Sequence, residues 1–171
     1  MSATSGQNGQ LSDLELAAWR GMLEAHKDLV GRLDAELERD HGLPLTSYEV
    51  LMYLADSEAG KLRMGELANH LLLSRSGITR LVDRLERQGL VERQPCEDDG
   101  RGFYAALTDA GREKLGAARP HHLAGVRRHF LDPLEPSELD SLTRIWKRLA
   151  GQRPGGGLDE QARERQVASD A

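Results

Sequence analysis

An internal disulfide is excluded, because the 171 residues contain one cysteine, Cys96, with no partner for a bridge or for a cysteine-rich zinc site. Long hydrophobic runs are missing as well. No stretch reaches the roughly 18 apolar residues of a membrane span, and the N-terminus MSATSGQNGQ has neither the basic start nor the apolar segment of a secretory signal. The expected location is cytoplasmic, with no membrane partner and with stability drawn from packing. An excess of positive charge is also lacking: 23 Lys and Arg stand against 28 Asp and Glu, a net charge of -5. That balance argues against a chain that grips nucleic acid over its whole surface, since phosphate binding needs clustered cations. Enzyme chemistry has no foothold either. There is no nucleophile with a base in a usable context, no glycine-rich phosphate loop and no paired carboxylates, and the run Pro154-Gly155-Gly156-Gly157 reads as tail composition. No catalytic activity, metal or cofactor is expected.

What is present is a strong helical pattern. With 39% hydrophobic residues the chain can build one domain-sized core. A long amphipathic helix is predicted from Ser12 to about Asp40, with Leu16, Trp19, Met22, Leu23, His26, Leu29, Val30, Leu33 and Leu37 at spacings of three and four. Gly42 and Pro44 stop it. Thr46 or Ser47 is expected to cap a second helix carrying Tyr48, Val50, Leu51, Tyr53 and Leu54, and Lys61 to Arg63 follows as a short extended piece. A third helix covers Met64 to about Leu71. Ser74 caps a fourth, whose core face is Ile78, Leu81, Val82 and Leu85, and Gly89 ends it as a left-handed cap residue.

A β-hairpin is predicted next, from Leu90-Val91-Glu92-Arg93 and Phe103 to Leu107, joined by an acidic turn from Pro95 to Gly102. Thr108 caps a fifth helix, which Pro120 should kink or break, and Pro133 and Pro136 close that segment. The last helix carries Leu139, Leu142, Ile145, Trp146 and Leu149. The fold class is mainly α with a small β-hairpin wing.

This order suits reading of double-stranded DNA. In a helix-turn-helix the first helix sets the angle at which the second enters the major groove, about 12 Å wide. Leu67, Ala68, Leu71 and Ile78 supply that bracing contact, which frees Ser74, Arg75, Ser76, Thr79 and Arg80 for DNA; Gly77 allows close approach of backbone. Arginine can take guanine bidentately, and hydroxyls can bond bases or phosphates. From Lys61 to Arg101, eight Lys and Arg face seven Asp and Glu, so positive charge is concentrated where a groove reader needs it.

The run Gly65-Glu66-Leu67-Ala68, the stretch from Leu73 through Ser74, Arg75, Ser76, Gly77, Ile78, Thr79 and Arg80 to Arg93, the turn Asp98-Asp99-Gly100-Arg101, and Leu107-Thr108-Asp109-Ala110-Gly111 together resemble the MarR family of winged-helix regulators over about residues 12 to 150. The polar composition of residues 1–10 and the lack of apolar periodicity over 152–171 predict a mobile N-terminus and a mobile tail. The resemblance implies a winged helix-turn-helix over residues 46–107 and dimerisation helices over 11–45 and 108–151. It also implies a homodimer, a pseudo-palindromic operator, repression, and release by a small, aromatic effector. Arg101 is the wing-tip arginine expected in the minor groove, supported by Asp99, with Gly100 where a further cation is common; Arg84 joins the DNA-binding set. Trp19, Arg20, His26, Met52 and Tyr53 are the expected ligand pocket.

Two alternatives remain open at this level: a thiol-redox regulator using Cys96, and a winged-helix module that binds protein without DNA. His121, His122 and His129 invite a metal reading. His122 and His129 are two helical turns apart, roughly 10 Å, too far to share an ion, so solvated or capping roles are expected.

Overall fold

The computed structural model describes residues 9–96 and 102–151. The elements follow in the order α1 (Asp13–His41), α2 (Leu45–Asp56), β1 (Lys61–Arg63), α3 (Met64–His70), α4 (Arg75–Arg87), β2 (Val91–Pro95), β3 (Phe103–Leu107), α5 (Asp109–Val126), a π-helical turn (Arg127–Leu131) and α6 (Pro136–Ala150). The chain divides into two compact units, one ending at Val126 and the other beginning at Arg127.

In the first unit, α1 starts on a capping box. The Glu15 backbone N–H donates to the Ser12 hydroxyl and the Ser12 N–H donates to the Glu15 carboxylate, which satisfies two of the free donors at the helix start. Gly42, at φ 57°, closes the helix. Twenty-nine residues make α1 about 43 Å long, yet only Leu33 and Leu37 near its C-terminal end are buried. Leu14, Trp19, Met22, Leu23 and Val30 are exposed. The apolar stripe predicted for this helix therefore exists, but most of it faces away from the chain's own core.

The core gathers Leu33, Leu37, Leu43, the buried face of α2, Leu67 and Ala68 of α3, and Ile78, Leu81, Val82 and Leu85 of α4. The four α4 residues recur at i, i+3, i+4 and i+7, and each contributes about 1.5–3 kcal/mol by leaving water. Neither Thr46 nor Ser47 caps α2. The helix begins at Leu45, whose N–H donates to the Asp34 carboxylate of α1 at 2.7 Å, so the cap comes from another helix and Ser47 is buried inside the first turn.

The hairpin is part of a three-stranded antiparallel sheet of order β1-β3-β2. Lys61 to Arg63 is a strand that pairs with β3, setting Lys61 opposite Ala106 and Arg63 opposite Tyr104. The strand before the wing runs over Val91–Pro95, one residue later than predicted at its start and two at its end.

Thr108 caps α5, its hydroxyl accepting the Gly111 N–H at 3.0 Å. Gly111 is required there: a Cβ would lie 2.1 Å from the Leu90 carbonyl oxygen. No break occurs at Pro120, and the helix continues to Val126. The carbonyl that loses its donor is that of Gly116, and both residues are exposed, so water can replace the missing bond. In the second unit, Pro136 opens α6 at its first turn rather than closing the preceding segment. Ile145, Trp146 and Leu149 of α6 are exposed.

Candidate nucleic-acid interface

The link from α3 to α4 is tight. Leu71 N–H donates to Leu67 O, Leu72 N–H to Asn69 O and Leu73 N–H to Ala68 O, closing a turn that delivers Ser74 to the N-terminus of α4. Ser74 is the cap: its hydroxyl accepts the Gly77 N–H at 3.1 Å and lies 3.1 Å from the Ser76 hydroxyl. Gly77 leaves room for this cap, since an added Cβ would sit 3.2 Å from the Ser74 hydroxyl and 3.6 Å from Leu73 Cβ. Thr79 donates its hydroxyl to the Arg75 carbonyl at 2.8 Å, which leaves the oxygen lone pairs for a donor outside the chain.

Arg75, Ser76, Thr79 and Arg80 line one shallow depression on the surface of α4. All four are exposed. Among the described residues neither Arg75 nor Arg80 has a carboxylate partner. The other arginines of α4 and β2 are held within the chain. Arg84 Nη2 donates to the buried Ser47 hydroxyl at 2.9 Å, so the structure turns Arg84 toward α2 instead of joining it to the exposed set. Arg87 Nε donates to the Asp83 carbonyl at 3.2 Å.

Arg93 makes the densest network. Its guanidinium pairs with the carboxylates of Asp83 and Glu86 and donates to the Thr79 carbonyl, while its own N–H donates to Glu86 at 3.2 Å. Strand β2 is thereby tied to the flank of the recognition helix, and one guanidinium offsets half of the charge of the two α4 carboxylates. The signal for this brace was the spacing of Asp83 and Glu86, one turn apart on a helix followed by an arginine-bearing strand.

The wing tip, with Asp99 and Arg101, lies outside the described residues. At the wing's base Cys96 is 4% exposed and donates its N–H to the Gly102 carbonyl at 3.0 Å. Tyr104 of β3 receives Lys61 Nζ at 5.0 Å and the Arg63 guanidinium at 5.5 Å from its ring centre, cation–π contacts that gather two cations of β1 on one sheet face.

The five residues expected to hold a ligand do not form an enclosed group within one chain. Trp19, Arg20 and His26 are exposed along α1, whereas Met52 and Tyr53 are half-buried on α2, and Tyr53 stacks on His70 with ring centres 4.8 Å apart. The histidines are engaged more closely than expected. His121 Nδ1 lies 3.1 Å from His41 Nε2, and the half-buried His122 ring packs on Tyr48 at 4.4 Å with its Nδ1 unpartnered. Burial pushes the His122 imidazole below the ordinary 6.5, and it pushes the Glu49 carboxyl up. Among the described residues no group of three His, Cys, Asp or Glu could hold a metal ion.

A family model described as MarR family matches residues 41–102, the segment from the end of α1 to the wing. Two solved structures from Streptomyces coelicolor extend the likeness. AbsC, a MarR family transcriptional regulator, is 39% identical over 83% of this chain and 95% of that one, with a TM-score of 0.77. The chain belongs to the MarR family. The second structure is Sco3205, a MarR family regulator in complex with DNA, at 38% identity, 88% and 95% coverage and a TM-score of 0.80. Among curated relatives, the HTH-type transcriptional regulator YkoM of Bacillus subtilis is 34% identical over 64% of this chain and 70% of its own length. Membership of the MarR family makes the protein a winged-helix transcriptional regulator and not an enzyme. No helix among the described residues is long and apolar enough to cross a membrane.

Proposed function

We propose that this MarR-family protein is a homodimeric repressor that binds a pseudo-palindromic operator and is released by a small, aromatic ligand. The observation that carries the reading is the exposed N-terminal half of α4, where Arg75 and Arg80 have no carboxylate partner among the described residues while Arg84, Arg87 and Arg93 are engaged inside the chain. Ser74, Arg75, Ser76, Thr79 and Arg80 would read the major groove, and Arg101, supported by Asp99, the minor groove. Arg84 acts from behind, through Ser47. With Gly100 at the tip in place of a cation, affinity depends more on the recognition helix than on the wing.

The exposed apolar stripe of α1 supports a second copy as its cover, and the exposed Ile145, Trp146 and Leu149 of α6 support the same conclusion independently. Two recognition helices about 34–36 Å apart would then address half-sites one turn of DNA apart. A pocket of Trp19, Arg20, His26, Met52 and Tyr53 would be completed only with that second chain. An effector needs about 1–3 kcal/mol of coupling to relieve repression. A thiol switch at Cys96 is disfavoured by its burial.

A gel-shift titration against the DNA upstream of the protein's own reading frame tests this reading. Salt-dependent binding that weakens in Arg80→Ala and Arg101→Ala supports it. Absence of any salt-dependent binding, or full binding by both variants, overturns it in favour of a protein-interaction module.

A further inference from the structure

Leu72 is the one non-glycine residue with a positive φ among the described residues, at 52°. That left-handed backbone crowds a Cβ against the following carbonyl, and glycine or asparagine relieves the crowding. Its side chain gains nothing in return from the fold. Leu72 is 85% exposed, the highest value among the exposed large hydrophobic residues, while its neighbours Leu71 and Leu73 both pack against the core. The turn between α3 and α4 thus holds three leucines, of which two face in and the strained one faces out. The left-handed conformation itself serves the fold, because the Leu72 N–H bond to Asn69 O and the Leu73 N–H bond to Ala68 O close α3 on a residue at positive φ, where glycine is usual; what the fold does not use is an exposed leucine side chain at that place.

The place of Leu72 names the partner. It stands two residues before the cap Ser74, in the turn that leads into the N-terminal end of α4, the end that carries the exposed Arg75, Ser76, Thr79 and Arg80. Within the major groove the distinctive apolar feature on a base edge is the 5-methyl group of thymine. We propose that Leu72 is a specificity-determining residue that packs on a thymine methyl at the edge of each half-site. This inference rests on the assignment of α4 as the reading helix, and it adds an apolar contact to a set otherwise made of arginines and hydroxyls.

The test uses the full-length protein and duplexes that it selects from a random-sequence pool. Leu72→Asn keeps the backbone conformation and removes the apolar group, so its melting temperature should equal or exceed that of the parent. Its affinity should fall roughly fourfold or more, the effect of withdrawing one methyl contact from an apolar surface. Leu72→Met should bind like the parent. Replacing thymines one at a time by deoxyuridine should weaken the parent at one position per half-site and leave Leu72→Asn indifferent there. Parental affinity in Leu72→Asn, unchanged deoxyuridine sensitivity in that variant, or a lowered melting temperature each overturns the proposal. If the parent selects no duplex, the assignment of α4 fails and this inference falls with it.

Discussion

Arg93→Gln separates a residue that positions the reading helix from residues that touch DNA. Arg93 is 24% exposed and is shared between Asp83 and Glu86, themselves 44% and 39% exposed. Pairs with that much solvent contact are each worth at most about 1 kcal/mol. Removing both, with the Arg93 backbone bond to Glu86 intact, should lower stability by about 1–2 kcal/mol. At roughly 2–4 °C per kcal/mol for a chain of this size, melting should fall by several degrees. The larger consequence is for DNA. Asp83 and Glu86 would stand without a counter-charge on α4, and β2 would lose its side-chain ties to the recognition helix. Affinity should drop about tenfold, which is about 1.4 kcal/mol.

The assay is fluorescence anisotropy on an operator duplex across a salt series. Each phosphate contact contributes about 0.9 to the slope of log K against log salt. Arg80→Ala should therefore flatten the slope, by up to about 1.8 in a dimer, whereas Arg93→Gln should shift the line down without changing its slope. Arg93→Lys, which can meet one carboxylate but not span the fork, should recover part of the affinity. If Arg93→Gln flattens the slope as Arg80→Ala does, Arg93 is a phosphate contact and the positioning argument is wrong.

Ser47→Ala removes the acceptor that holds Arg84 and should destabilise the chain by about 1 kcal/mol in urea unfolding, because the half-buried guanidinium can reach water. A loss above about 3 kcal/mol would mean that Arg84 is sealed from solvent. Gly111→Ala drives a Cβ to 2.1 Å from the Leu90 carbonyl and should lower stability by about 2 kcal/mol or more, visible as a fall in the calorimetric midpoint. An unchanged midpoint would contradict the close approach at the start of α5. His122 is held neutral by burial, so the unfolded chain binds its proton more readily. Stability should be full above about pH 6.5 and decline as pH falls from there toward the folded value. His122→Phe should remove that part of the slope, and a pH profile identical to the parent's would show that the ring is solvated.

Much of this protein is written in local patterns. The spacing of Ile78, Leu81, Val82 and Leu85, the caps at Ser12, Ser74 and Thr108, and the left-handed glycines at Gly42 and Gly89 act within a few residues of one another, so period and residue type suffice to place those helices. The exposed reading set Ser74 to Arg80 was legible for the same reason: it occupies the face left over once the core stripe is assigned. Contacts between distant segments were not legible. Asp34 caps Leu45 from eleven residues away, Ser47 receives Arg84, and the three residues of β1 become a strand only because β3 lies beside them. Whether an arginine of the recognition helix faces DNA or its own fold depends on what the neighbouring helix presents. That is why sequence alone places Arg84 among the readers while the structure holds it on a serine. The positive φ of Leu72 belongs to the same class, since nothing in a run of three leucines tells which one a tight turn will force outward. Sequence determined the winged helix-turn-helix and the location of its reading end; tertiary packing decided which cations remain available there, because partners in space set the charge that a groove can feel.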